Sequence, residues 1–152
     1  MKKNQRIERQ RELIEEYGML MEDMGYQPVT ARIAGMLLIM DKEIYTFDEI
    51  VSELNISKST ASVAIKNLLL RDVIEYTTLP GDRKRYFRTK ITSIDQEGKE
   101  FINWLKRFQK VTKENLELKE KKESRVSFYI KELITKLNTY IPKMEKLNED
   151  LT

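Results

Sequence analysis

The sequence predicts a mainly helical α+β protein, a winged helix-turn-helix with N- and C-terminal helices for dimerisation. Two short amphipathic segments follow one another closely between Thr46 and Arg71. An alternating stretch with a basic turn occupies residues 73–90, and long apolar stripes at helical spacing lie on both sides of this part of the chain. Helix, turn, helix and hairpin in that order are typical of the winged helix-turn-helix fold.

Three regions are predicted along the chain. Residues 1–27 form an N-terminal dimerisation arm, residues 28–92 form the winged helix-turn-helix DNA-binding domain, and residues 93–152 form a C-terminal helical dimerisation region. A length of 152 residues is enough for a small domain with such arms. Charged residues make up 35% of the chain, which suits long helices that face solvent.

The positive charge is concentrated in one part of the chain. The formal net charge is only +3, yet the segment from Ile56 to Lys90 contains eight basic and three acidic residues. The rest of the chain therefore carries a small negative balance. A local excess of basic residues is what a phosphate-binding face needs.

Composition excludes several classes of function. The chain has no Cys and no His, which excludes disulfides, thiol or imidazole metal sites and histidine acid–base chemistry. No Gly-x-Ser-x-Gly and no phosphate-binding glycine loop occurs, so we expect no enzyme, no cofactor and no metal. The segment from Met1 to Arg11 is charged without an apolar core, and no apolar run approaches the roughly 20 residues that span a bilayer. We therefore expect a cytoplasmic protein with no membrane partner.

The first helix is predicted from Ile7 to Met24, with Gly25 as its stop signal and Pro28 opening the next helix. One interpretation is that it packs on its own domain. The other, which we favour, is an arm that crosses to a second subunit, because a small winged domain has no obvious room for it. The predicted dimer contacts of this helix are Ile7, Ile14, Tyr17 and Met21.

A second helix is predicted from Val29 to Met40, with a stripe of core residues on one side. Ile44 and Tyr45 follow as a short strand that pairs with the wing. The methionines of these first two helices stand at helical spacing, and we interpret them as core.

The helix-turn-helix begins with the capping box from Thr46 to Glu49. Ser57 opens a second helix over residues 58–71, in which Ala61, Ile65, Leu68 and Leu69 point inward. The outward face carries small hydroxyls, Val63, Leu70 and Lys, so its backbone can approach a major groove about 12 Å wide. Capping alone explains Ser57 but not this face. The predicted DNA contacts are Ser57, Lys58, Ser59, Thr60, Ser62 and Lys66.

The hairpin supplies a second predicted DNA contact. Its turn starts with Leu79-Pro80-Gly81-Asp82, and Arg83, Lys84 and Arg85 follow. Basic side chains at a hairpin tip reach phosphates beside the major groove or enter the minor groove. We therefore predict that a wing at residues 79–86 contacts the DNA backbone or minor groove.

These motifs carry a family resemblance. Gly35–Leu38, Phe47–Ile50, Ser57–Ser62 and Leu79–Tyr86 together resemble the MarR superfamily, and more closely its GbsR-type transcriptional regulators. The match covers roughly Tyr26 to Lys90. It implies a homodimeric repressor whose terminal helices interlock and whose DNA affinity responds to a small effector. Some GbsR-type members sense choline or control glycine-betaine genes, but the sequence beyond Lys90 has no matching effector motif, so no ligand is carried over.

The C-terminal region is predicted as two helices. Ser93 opens the first, whose apolar side holds Phe101, Trp104, Leu105, Phe108 and Val111, and a charged break is expected over residues 113–123. A heptad stripe follows, with a kink expected at Pro142. This stripe pairs either with another helix of the chain or with its twin in a dimer. Its predicted dimer contacts are Ile130, Leu133, Leu137, Tyr140, Met144 and Leu147.

An aromatic box is a further possibility. Tyr17, Tyr26, Trp104 and Phe108 could hold a quaternary amine between the winged domain and the dimer helices. Aromatic residues at helical spacing more often simply bury area in the core. Both interpretations remain open at this point.

Together these features predict a sequence-specific, double-stranded DNA-binding transcriptional regulator. We expect a homodimeric repressor that binds a palindromic operator and is gated by a small ligand. The alternative is a winged-helix module for protein interaction that does not bind specific DNA. A wing that binds protein does not require such a concentration of positive charge, and the charge pattern therefore favours the DNA-binding interpretation.

Overall fold

The computed structural model describes residues 2–151 and divides the chain into two compact units, with the division between Ile91 and Thr92. The fold is mainly helical with a small antiparallel sheet, as predicted. The first unit contains α1 (Lys3–Asp23), α2 (Pro28–Ile39), β1 (Tyr45–Thr46), α3 (Phe47–Leu54), α4 (Lys58–Leu70), β2 (Ile74–Thr77) and β3 (Tyr86–Thr89). The second contains α5 (Ile94–Leu118) and α6 (Arg125–Asp150).

Helix α1 is part of the first unit. Ile14 and Met21 are buried in the same core as α2, α4 and the sheet, and Tyr17 packs against that core. Gly25 has a φ of 88° just after the helix, which is the stop conformation that the sequence suggested. The winged domain therefore has room for this helix, contrary to our expectation. A contact of Ile7, Ile14, Tyr17 or Met21 with a second copy stays a prediction.

The helix-turn-helix follows the predicted boundaries closely. The Glu49 N–H donates to Thr46 Oγ1 at 3.3 Å and the Thr46 N–H donates to Glu49 Oε2 at 2.8 Å, so the capping box at the start of α3 is confirmed. Asn55 ends α3 with a φ of 49°, a left-handed conformation that Asn tolerates. The chain can therefore turn from α3 into α4 within a few residues.

The sheet forms the wing. Its strand order is β1-β3-β2, with both neighbours antiparallel. Phe87 on β3 stands opposite Tyr45 on one side and Tyr76 on the other, and Phe87 and Tyr45 are buried. The strand expected at Ile44–Tyr45 is thus present one residue later, and it fixes the root of the hairpin to the core.

Leu68 offers a test of this core, because its side chain is 0% exposed and lies among residues from α2 and the sheet. Leu68→Ala is expected to lower the free energy of unfolding by about 2–5 kcal/mol, the usual cost of such a cavity. Urea unfolding followed by circular dichroism measures it. Leu70→Ala, two residues on and 78% exposed, is the matched control. Equal effects of the two changes would contradict the burial of Leu68.

The second unit is an antiparallel helical hairpin. Lys106 pairs with Glu145, and the Gln109 amide donates to Asn138 Oδ1 at 2.8 Å, so the two helices run in opposite directions. Ile102 is buried between them, and a Cβ on Gly98 would collide with the Asn148 side chain. The small residue at position 98 therefore allows the helices to approach closely.

Two expectations for this unit need correction. Helix α5 continues to Leu118, so the break expected over residues 113–123 is confined to the end of that range. On α6, Tyr140 of the predicted stripe is 55% exposed, and the adjoining Ile141, which is 5% exposed, is buried in its place. Of the other predicted residues, Ile130 and Leu137 are buried, Leu133 and Met144 pack against the cluster that Leu137 forms with Ile102 and Ile141, and Leu147 is exposed. Pro142 lies inside α6.

Candidate nucleic-acid interface

Helix α4 has one buried face and one exposed face that is mostly polar. Ala61, Ala64, Ile65 and Leu68 are buried, whereas Leu69 is half-buried. The predicted contacts Ser57, Lys58, Ser59, Thr60, Ser62 and Lys66 are all exposed. Sequence reasoning missed only Ala64 on the inner side. The outward face is therefore free within this unit to meet a partner.

The hydroxyls at the start of α4 form a small network. Ser57 Oγ accepts from the Thr60 N–H at 3.1 Å, the expected cap. The same oxygen lies 3.0 Å from Ser59 Oγ and 2.7 Å from Thr60 Oγ1. These three side chains thus hold one another around the positive end of the helix dipole, where an anion is favoured.

Lys58 stands beside this network. Its Nζ lies 3.2 Å from Asp48 Oδ1, with the two side chains 74% and 78% exposed. Such an exposed pair contributes little to stability and is easily exchanged. Lys58 can therefore leave Asp48 for a phosphate at small cost.

The wing is shaped by an acidic residue at its tip. Asp82 accepts from the Lys84 N–H at 2.9 Å and from the Tyr86 hydroxyl at 2.6 Å. The bond from Tyr86, followed by that from Lys84, lowers the pKa of Asp82, and the same phenol bond raises the pKa of Tyr86. At neutral pH the carboxylate is charged and the phenol keeps its proton. Gly81, with a φ of 77°, completes the turn.

Three cations project from this tip. The Arg85 guanidinium lies 4.8 Å from the centre of the Tyr76 ring, a cation–π distance that steadies it on β2. Arg83 and Lys84 are exposed. Within residues 2–151, no salt bridge joins either of them to a carboxylate. The predicted wing contacts therefore lie together on one exposed turn.

Other basic residues of this segment are already engaged within the chain. Arg88 pairs with Glu75 at 2.7 Å, and Lys90 pairs with Asp72. The Arg71 guanidinium lies 4.4 Å from the Tyr26 ring centre. For this reason, a count of basic residues in the sequence overestimates the number that are available to bind DNA. The candidates on the outward face of α4 and at the wing tip are Lys58, whose pair with Asp48 is the more exposed, together with Lys66, Arg83, Lys84 and Arg85.

The residues of the predicted aromatic box belong to both units. Tyr17 and Tyr26 pack against the core of the first unit, and burial raises the pKa of Tyr17. Trp104 and Phe108 lie on an exposed face of α5, where their rings stack with centroids 5.2 Å apart. The box as a single ligand site stays a prediction.

The structure of residues 2–151 also bears on metal sites and membrane spans. No group of three or more carboxylates there gathers where it could hold a metal ion. None of the described helices combines the length and the apolar character needed to cross a membrane.

The fold is shared with a protein of known structure that is described as a transcriptional regulator. The structure of a protein described as a transcriptional regulator matches with a TM-score of 0.69 at 21% identity, covering 92% of this chain and 95% of that one. At this identity the likeness establishes the fold alone, a mainly helical winged helix with a three-stranded wing.

Two further structures match with TM-scores too low to support an argument. The transcriptional regulator Tm0710 from Thermotoga maritima has a TM-score of 0.44 at 22% identity, covering 83% of this chain and 87% of that one. The C30AH42A mutant of Lactococcus lactis ZitR, in apo form, has a TM-score of 0.37 at 15% identity, covering 90% and 98%. No protein-family model and no curated protein sequence matches this chain.

Proposed function

We propose that this chain is a non-enzymatic, sequence-specific regulator of transcription that binds double-stranded DNA as a homodimer. Helix α4 enters the major groove, and the wing at residues 79–86 contacts the adjoining backbone or minor groove. The observation that carries this proposal is the placement of exposed cations: Lys58 and Lys66 on α4, and Arg83, Lys84 and Arg85 on the wing. These side chains face solvent where the fold offers a protruding helix and hairpin.

The charge is arranged for contact with phosphates. The backbone that carries Lys84 is anchored by Asp82, so less backbone freedom is lost when the wing binds. The contacts of the wing cations position the protein on any DNA, while the small side chains of α4 face the base edges. Specific recognition then falls to Ser59, Thr60, Ser62 and Lys66.

The second unit supports the homodimer. We define its outer face as a set of exposed apolar residues, most of which stand one position before a residue that is packed between α5 and α6. Because the helices are antiparallel, these positions lie on one side of the hairpin. Helix α5 contributes them at heptad spacing. The members of the outer face are Ile94, Phe101, Trp104, Phe108, Val111 and Leu118 on α5, and Val126, Tyr129, Tyr140, Leu147 and Leu151 on α6.

The area of this outer face is sufficient for a stable dimer. Trp104 is 49% exposed and Tyr129 is 63% exposed, and Ile94 and Leu118 are more exposed still. With about 150–250 Å² for each aromatic side chain, the outer face offers on the order of 1,000 Å² per copy, against about 800 Å² per partner in a standard interface. A patch this large on a monomer marks an interaction site, and we propose that a second copy of the hairpin covers it.

We further propose a repressor of the MarR superfamily, GbsR type, gated by a small effector. The Ser57–Ser62 helix start and the Leu79–Tyr86 wing support this assignment through the resemblance of their residues. An effector that shifted the spacing of the two α4 helices would change DNA affinity without touching DNA.

A protein-interaction module is the second candidate function, and the exposed apolar outer face is the observation that favours it. A protein-interaction module would differ from a DNA-binding regulator in the salt dependence of its binding. A protein partner does not require the wing cations, so binding would not follow the steep salt dependence of counterion release from DNA.

Selection from a random DNA pool tests the proposal. The selected duplex is then titrated with the full chain by fluorescence anisotropy at several salt concentrations. We expect half-sites about 10 base pairs apart, related by a two-fold axis, and affinity that falls steeply with salt. A flat response to salt, or no binding to any duplex, would overturn DNA binding as the function.

Asp82→Ala gives an informative variant of the wing, because it adds one positive charge yet removes both bonds that shape the tip. We expect DNA affinity to fall by about three- to tenfold, since loss of preorganisation outweighs the small surface charge gain. Anisotropy titration measures it. Asp48→Ala removes an exposed carboxylate beside Lys58 without disturbing the wing, and it should raise affinity slightly. If Asp82→Ala also raises affinity, the anchoring role is wrong.

A further inference from the structure

We infer that Val63 determines sequence specificity by packing against the 5-methyl group of a thymine in the major groove. This inference rests on the proposed DNA-binding function. It adds an apolar base contact to the hydrogen bonds proposed for Ser59, Thr60, Ser62 and Lys66. It also fixes the base at one position of each half-site as thymine.

Val63 is placed at the centre of the outward face of α4. Its side chain is 71% exposed, and it follows Ser59 by one turn and precedes Lys66 by nearly one turn. The neighbouring Ser62 is exposed as well. All four side chains therefore point to the same side, and the valine methyl groups project between short hydroxyls and a lysine.

The local structure gives Val63 no packing role of its own. The inner side of this turn is filled by Ala64 and Ile65, which are 3% and 4% exposed. Val63 borders a shallow groove of about 510 Å³ between α4 and the first turn of α2, next to Pro28 and Val29, which leaves most of it uncovered. A β-branched residue at an exposed helical position also carries a small propensity cost. Solvent exposure alone does not favour valine here.

Major-groove chemistry identifies the base. Thymine is the only base that presents a methyl group there, next to its O4 acceptor. A short, stiff, branched side chain brings its methyl groups to that depth without losing rotamer freedom on binding. Serine and lysine at positions 59, 62 and 66 read donors and acceptors, so an apolar side chain among them distinguishes thymine from cytosine.

The test is a double-mutant cycle between protein and DNA. The full-length wild type and Val63→Ala are titrated with the selected duplex, and then with duplexes in which one thymine at a time is replaced by deoxyuridine. That replacement removes only the methyl group. Leu20→Ala, a change at an exposed apolar residue of α1 that lies outside the outward face of α4, is the matched control. Wild-type binding to the unmodified duplex tests the proposed function separately.

We expect one thymine in each half-site at which deoxyuridine weakens wild-type binding by about three- to fivefold per methyl contact. Val63→Ala should bind both duplexes equally and resemble the wild type on deoxyuridine DNA. Leu20→Ala should keep the wild-type preference for thymine. Tight binding of the unmodified duplex with independent effects of Val63→Ala and deoxyuridine at every thymine would overturn the inference while leaving the proposed function intact. Lack of any DNA binding would overturn both.

Discussion

Replacing Arg83 and Arg85 with glutamine is expected to weaken DNA binding by at least about 100-fold near 0.1 M salt. Each phosphate contact contributes about 0.9 to the slope of log affinity against log salt, and a dimer loses the contacts of both copies. The same change should lower that slope by roughly two per copy. Because the proposed partners of these arginines are backbone phosphates, the loss should be the same for selected and unrelated sequences.

The measurement is a salt titration of both duplexes by anisotropy, with wild type and double variant side by side. Lys110→Gln with Lys113→Gln is the matched control, since it removes two exposed charges from α5 on the side turned away from the outer face. This control should leave affinity and slope nearly unchanged. If it reduces binding as much as the wing variant does, net charge rather than the wing governs the contact.

The second large effect is expected at the outer face of the hairpin. Trp104→Glu should raise the dissociation constant of the dimer by more than about 100-fold, because truncation of a buried aromatic costs about 3–5 kcal/mol and each 1.4 kcal/mol is tenfold. The buried carboxylate adds to this cost. Trp104 stacks on Phe101 and Phe108 outside the α5–α6 core, so the hairpin itself should stay folded.

Sedimentation equilibrium over a range of chain concentrations measures the change, and circular dichroism checks the helix content. Lys113→Glu, a glutamate on the opposite side of α5, is the control and should remain dimeric. A Trp104→Glu variant that is folded and still dimeric would contradict the assignment of this face. DNA binding by the monomer should fall as well, because one copy contacts only one half-site.

Local signals in the sequence were sufficient to predict the helix-turn-helix. The capping box from Thr46 to Glu49 and the cap at Ser57 depend on neighbours three residues apart, so a linear sequence contains both partners. The pairing of Glu75 with Arg88 also follows once the register of the hairpin is known. A charge count without that register could not separate engaged cations from available ones.

The helical regions were harder to predict, because periodicity identifies residues that share a face but not the partner that covers it. On α5 the more apolar stripe contains Phe101, Trp104 and Phe108, and the sequence favoured it as the packed side. The structure instead buries the adjoining stripe, in which Gly98 and Thr112 are small enough for α6 to approach. The bulky rings remain exposed. This outcome depends on how α5 and α6 fit together, so the periodicity of α5 alone could not predict it.

Pairing through the exposed aromatic outer face would also make operator occupancy depend steeply on the concentration of the chain. If two copies must pair before both half-sites are occupied, then below the dimer dissociation constant operator occupancy rises with the square of chain concentration. Doubling synthesis would then increase occupancy about fourfold. The cell could thus control the target genes through the abundance of the regulator itself, and a steep response would need no effector at all.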